Sequence, residues 1–153
     1  MTILKNLLSA FAGSVALNVI HELARKTCVD VPQINRVAEE AIQKSFSSTG
    51  MKKPKGKELY RYALTGDIVA NTAYFTGVAG KSNKSTLVKG LIMGATAGLG
   101  ALTLTAPMGL DDTPINRSRK TQILTVLYYV AGGLVSAGVS NYLRNRDKKI
   151  SKT

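Results

Sequence analysis

The chain has 153 residues, 44% of them hydrophobic, with 21 Lys and Arg against nine Asp and Glu, giving a net charge of +12. A lone cysteine, Cys28, excludes an intramolecular disulfide and a thiolate metal cluster. The basic residues gather at the ends of apolar blocks instead of along one stripe, which is the pattern of a protein facing anionic lipid headgroups and argues against a nucleic-acid partner.

The length predicts one domain over 1–153. The mean hydropathy of +0.03 is low for a multi-span protein, but it averages apolar blocks with strongly charged connectors. The first block, 3–24, has a clean apolar core at Leu7–Ile20. No small-residue cleavage site follows it, so it is expected as a retained span and not a leader. Ser14, Asn18, His21 and Arg25 fall at helical spacing and make a polar stripe along it. In the connector, Asp30 and Pro32 are placed to start a helix. Ile34, Val37, Ala41, Ile42 and Phe46 then share one face, with Arg36, Glu39, Glu40 and Lys44 opposite. This predicts an amphipathic helix at about 32–47 lying at the membrane interface, ended by Gly50 and followed by a basic linker, Met51–Lys57.

The second predicted span, 59–80, carries Asp67 within it, with Tyr60, Asn71 and Tyr74 on the same face. The third, 86–106, belongs to the charge-free stretch Gly90–Leu110, long enough as a helix to cross about 30 Å of hydrocarbon. Gly90, Gly94 and Gly98 recur every fourth residue there and predict a face on which another helix packs at backbone distance. The fourth span, 121–143, is also free of charge, and Gly132, Gly133, Ser136 and Ser140 supply its small face. A basic tail, 144–153, is expected to fray. The fold class is therefore an all-α integral membrane protein of four transmembrane helices with glycine-rich packing faces plus one amphipathic interfacial helix.

Four spans put both termini and the Lys81–Lys84 turn on one side, with the connector and the Met108–Pro114 turn on the other. The terminal side carries nine basic residues, among them Lys5, Lys89, Arg144 and Arg146, against the single carboxylate of Asp147. Its loops are short, so the positive-inside rule favours cytoplasmic termini in a bacterial inner membrane. On this topology His21, Glu22, Asp67, Asp111 and Asp112 approach one surface. One imidazole and several oxygens suit a divalent ion. Each residue also has a local duty open to it: helix exit for His21 and Glu22, turn formation and pairing to Arg117 or Arg119 for Asp111 and Asp112. There is no HExxH, paired ExxH or GxSxG spacing, so a metal is left unassigned and no cofactor is expected. Asp67 is the sharper case, because a carboxylate inside a span is costly unless paired or protonated. Its structural partners would be Asn18, Arg25 or Arg61.

The segments HELARK (His21–Lys26), VAEEAIQK (Val37–Lys44), TGDIVANTAYF (Thr65–Phe75), PMGLDD (Pro107–Asp112) and RSRKTQILTVLYY (Arg117–Tyr129) together resemble small uncharacterised multi-span membrane proteins of Bacteroidetes-type bacteria. The resemblance implies a bacterial membrane protein and supplies no reaction or ligand. Two roles compete. One is a non-catalytic scaffold or accessory subunit, packed against itself or a larger membrane complex through its small-residue faces. The other is a small transporter or ion- or proton-conducting protein using Asp67, Asn71, Asn18 and His21. A membrane-embedded metal-dependent enzyme stands third.

Overall fold

The computed structural model describes residues 2–150 and is all-helical. Helix α1 runs Ile3–Thr27, α2 Ile34–Ser48, α3 Gly56–Phe75, α4 Asn83–Leu104, the single turn α5 Thr113–Asn116, and α6 Arg119–Ile150. Three of them, α1, α4 and α6, are long and apolar enough to cross a membrane. Helix α3 is not among these. Its twenty residues would reach about 30 Å, but Glu58, Arg61, Asp67 and Asn71 dilute its apolar character. It stops at Phe75, and a 3₁₀ turn over Thr76–Val78 completes the stretch predicted as a span to residue 80.

Helix α6 is the centre of the bundle, flanked by α4 and α1. The α4 seam is backbone against backbone. A Cβ added at Gly94 would lie 2.6 Å from Val130 Cα and 2.7 Å from Tyr129 O, and one at Gly98 2.7 Å from Val126 Cα. Only glycine leaves room for that approach. Gly90 faces Gly133 in the same way, and Gly13 of α1 faces Gly132, with the Gly132 O 2.5 Å from an added Gly13 Cβ. All five glycines of the predicted packing faces are therefore buried between helices.

The interior is small and hydroxyl-rich. Ser9, Ser14, Thr86, Thr121, Thr125, Ser136 and Ser140 are buried. Ser9, Thr86, Thr121 and Thr125 return their hydroxyls to backbone three or four residues back, as Ser9 Oγ donates to Lys5 O at 2.7 Å and Thr125 Oγ1 to Thr121 O at 2.8 Å. Ser14 is different: its Oγ donates across to Ile68 O at 3.0 Å and ties α1 to α3. Large aliphatics point outward instead, including Leu8, Leu91, Ile92, Leu99, Ile123 and Leu127. Two apolar clusters fill the remaining centre, one around Phe75, Val78 and Ala137, the other around Leu17, Tyr128 and Tyr129.

The two ends are stitched by polar contacts. At one end Lys5 of α1 pairs with Asp147 of α6. The Arg144 guanidinium donates to Gly80 O at 2.7 Å, to Asn83 Oδ1 at 2.5 Å and to Asn141 Oδ1, clamping the loop before α4. These contacts explain a departure from expectation: the basic tail is helical through Ile150 and not frayed, with residues 151–153 outside the described residues. At the other end Arg117 donates to Asp30 Oδ1 at 2.9 Å and to Val31 O at 3.0 Å. Lys120 Nζ donates to Val29 O at 3.1 Å, and Gln33 N to Pro114 O at 3.0 Å. Arg117 thus pairs with the connector and not with Asp111 or Asp112. Asp30 adopts φ 57° and lies in that knot, while Gln33 precedes the first residue of α2.

Candidate functional site

Helices α1 and α3 lie side by side, and the N-terminal half of α2 lies across them. Between the three is a cavity of about 280 Å³ with largely apolar walls, lined by Val15, Val19, Leu64 and Ile68 among others. The polar stripe of α1 faces it. Asn18, His21, Glu22 and Asp67 all line the cavity, so the structure brings these four polar candidates together. Tyr60 stands in the same wall, one helical face with Asp67.

Asp67 has settled on one of its three expected partners. Asn18 Nδ2 donates to Asp67 Oδ2 at 2.8 Å and to Ser14 O at 3.0 Å. Asn71 lies a turn beyond, buried, its Nδ2 donating to Asp67 O at 3.0 Å. Among the described residues no Lys or Arg lines the cavity. Arg25 is committed elsewhere, with a forked pair to Glu22 at 2.7 and 2.9 Å. Glu22 also takes Lys26 at 3.2 Å. The carboxylate of Asp67 therefore meets an amide and not a cation.

His21 has a structural partner. Its Nε2 lies 3.1 Å from Pro32 O and 3.2 Å from Ile34 N, donating to the carbonyl in one tautomer and accepting from the amide in the other. Ile34 is the first residue of α2, so the imidazole sits at the helix start, where backbone N–H groups lack partners within the helix. This contact fixes where α2 enters, and hence the roof of the cavity.

Asp111 and Asp112 do not join the group. Asp111 Oδ1 accepts from Thr113 N at 2.9 Å and Asp112 Oδ2 from Asn116 Nδ2 at 2.7 Å, both turn contacts. Thr113 holds the Asp111 carboxyl below its ordinary value through these hydrogen bonds. Among the described residues no three of His, Cys, Asp and Glu are grouped as metal ligands would be.

The far half of α2 carries a latch that the sequence did not disclose. Glu40 Oε2 accepts from Asp111 N at 2.7 Å, Lys44 donates to Gly109 O, and the two side chains pair at 2.8 Å. The Lys44 ammonium, then the Asp111 N–H, hold the Glu40 carboxyl below its ordinary value. Phe46 and Tyr62 rings meet at 5.5 Å and bind the end of α2 to α3. The roof residues Ile34, Asn35 and Ala38 were also missing from the sequence reading as site residues. Their helical spacing was visible, but not which helix would lie beneath them. No protein family, curated protein or solved structure matches this chain.

Proposed function

We propose that the protein is a non-catalytic scaffold or accessory subunit of a bacterial inner membrane. In this reading α1, α3, α4 and α6 cross the bilayer and α2 lies at its interface. The observation that supports it is the inverted distribution of side chains. Glycine and hydroxyl residues fill the contacts of α1, α4 and α6, while large aliphatics face out. A water-soluble bundle buries the aliphatics; a bundle in hydrocarbon gains nothing by doing so and packs through small residues. The outward faces are then available to lipid, to a second copy or to a larger membrane complex. The termini, with their Lys and Arg cluster, take the cytoplasmic side beside anionic headgroups.

The experiment is isolation of the protein at native abundance in a mild detergent, with the particle mass read by native mass spectrometry. The expected result is a stoichiometric assembly with itself or with another membrane protein. A lone monomer would overturn the accessory role. A second reading, conduction past Asp67, is favoured by the carboxylate lying inside a helix of the bundle. Liposomes holding wild type or Asp67→Asn would show a difference in proton or cation leak if it holds, and the same leak if it does not.

A further inference from the structure

We infer that the cavity between α1, α2 and α3 is a binding site for a single-chain amphiphile carrying a primary ammonium headgroup. This goes beyond the scaffold reading and does not depend on it. The cavity's volume, about 280 Å³, is just below the range usual for ligand pockets, which suits a short chain and excludes a two-chain lipid. Its walls are apolar, from Val15 and Val19 of α1, Leu64 and Ile68 of α3 and Ala38 of α2. They fit an alkyl chain.

The polar groups choose the head. Asp67 presents a carboxylate whose Oδ2 takes one N–H from Asn18, and a carboxylate has room for several donors. Asn35, in the roof, has its Oδ1 buried without a hydrogen-bond partner. Both are acceptors. The other charged group in the lining, Glu22, is also acidic and already holds Arg25 and Lys26. In a chain of net charge +12, a cavity lined by acidic groups and no Lys or Arg is electrostatically set apart from its surroundings. A head that donates several hydrogen bonds and carries positive charge satisfies it; an anionic head is repelled, and a hydroxyl brings one donor and no charge. His21, held between Pro32 O and Ile34 N, keeps the roof in register and does not compete for the ligand.

The test uses the full-length protein in phosphatidylcholine nanodiscs, titrated with decylammonium, decanol or decyl sulfate and read by native mass spectrometry, with empty discs as the partition control. Wild type should bind one decylammonium saturably, about tenfold more tightly than decanol, the size of a charge-assisted hydrogen bond. Asp67→Asn should erase that tenfold preference and leave decanol binding unchanged. Ala38→Phe, which fills the roof from a half-buried position, should weaken binding of both chains. Equal affinity of wild type and Asp67→Asn for decylammonium would overturn the inference, as would uptake no greater than in empty discs. If Asp67→Asn does not assemble, Ala38→Phe decides alone: unchanged decylammonium binding in that variant refutes a bound chain. The native-mass result for self- or partner assembly is independent of all these readings.

Discussion

At the scale of the residue, the structure turns on how closely two backbones approach and on what a buried carboxylate meets. Gly94 is a clean case to test, because the added atom would strike Val130 Cα and the Tyr129 carbonyl, neither of which has a flexible end to swing away. Gly94→Leu should destabilise the protein by about 1–3 kcal/mol or more. Leu104→Ile, at an exposed position, is the control, and thermal unfolding of both in one detergent checks it. Equal melting would mean that the seam is not holding α4 to α6. Asp67 behaves differently, because its partner Asn18 is neutral. Asp67→Asn leaves no cation unpaired and retains an acceptor for Asn18, so folding and assembly should survive with a loss of no more than about 1 kcal/mol. A collapse of assembly would show that the negative charge itself supports the bundle.

At the scale of the element, α2 is the part held by contacts rather than by a seam. None of its residues is fully buried. Its position rests on His21 at the N-terminal end, Phe46 against Tyr62, and the Glu40–Lys44 latch to the Gly109–Asp111 turn. Arg36 is exposed, whereas Ile42 lies against α3, its Cδ1 3.7 Å from the space a Gly66 Cβ would take. A thiol placed at 36 in a Cys28→Ser background should react with a water-soluble maleimide, and one at 42 should be protected. The latch is pH-dependent in a definite direction. The carboxyls of Glu40 and Asp111 both titrate below their ordinary values when folded. The stabilisation that Glu40 gives α2 is complete above the ordinary carboxylate pKa, near pH 4, and is lost as pH falls through its lowered folded value. Protection at position 42 should therefore weaken below about pH 4 and not between pH 5 and 8. Glu40→Gln should remove most of that acid dependence. Loss of protection already at pH 6 would assign the release to another group.

At the scale of the whole molecule, contacts sort the chain ends and loops into two groups. Lys5, the Lys81–Asn83 loop and Arg144 sit at one end with Asp147. Residues 29–33, the Gly109–Asp111 turn and Arg117 sit at the other. If α3 crosses the bilayer with the three more apolar helices, thiols at Lys84 and Arg146 should label from one face of the membrane, and thiols at Lys53 and Met108 from the opposite face. Impermeant labelling of intact cells and of inverted vesicles reads this directly. Labelling of positions 53 and 84 from the same face would remove α3 from the set of spans.

Much of the fold is legible in the chain because membrane-type packing is written in residue size. Gly90, Gly94 and Gly98 share a face by spacing alone, and so do the apolar positions of α2 from Ile34 to Phe46. A local rule also sets the start of α4, where Ser82 accepts from Ser85 N at 3.1 Å. What spacing does not carry is which face meets which. The sequence left Asn18, Arg25 and Arg61 equally open as partners of Asp67, since all three are reachable on helical geometry. Only the lateral packing of α1 on α3, fixed in part by the Ser14–Ile68 bond, selects Asn18. The same holds for Arg117, drawn to Asp30 across the fold although two carboxylates lie nearer in sequence, and for Arg144, which keeps a basic tail helical. The cavity belongs wholly to this second class. Its polar floor was visible as a stripe along α1, but a cavity needs a roof, and His21, placed by the turn at Pro32, puts α2 over it. Periodicity along one helix is a one-dimensional property that the chain states by itself. The choice of neighbour is set by long-range contacts, which exist only once every helix has been placed.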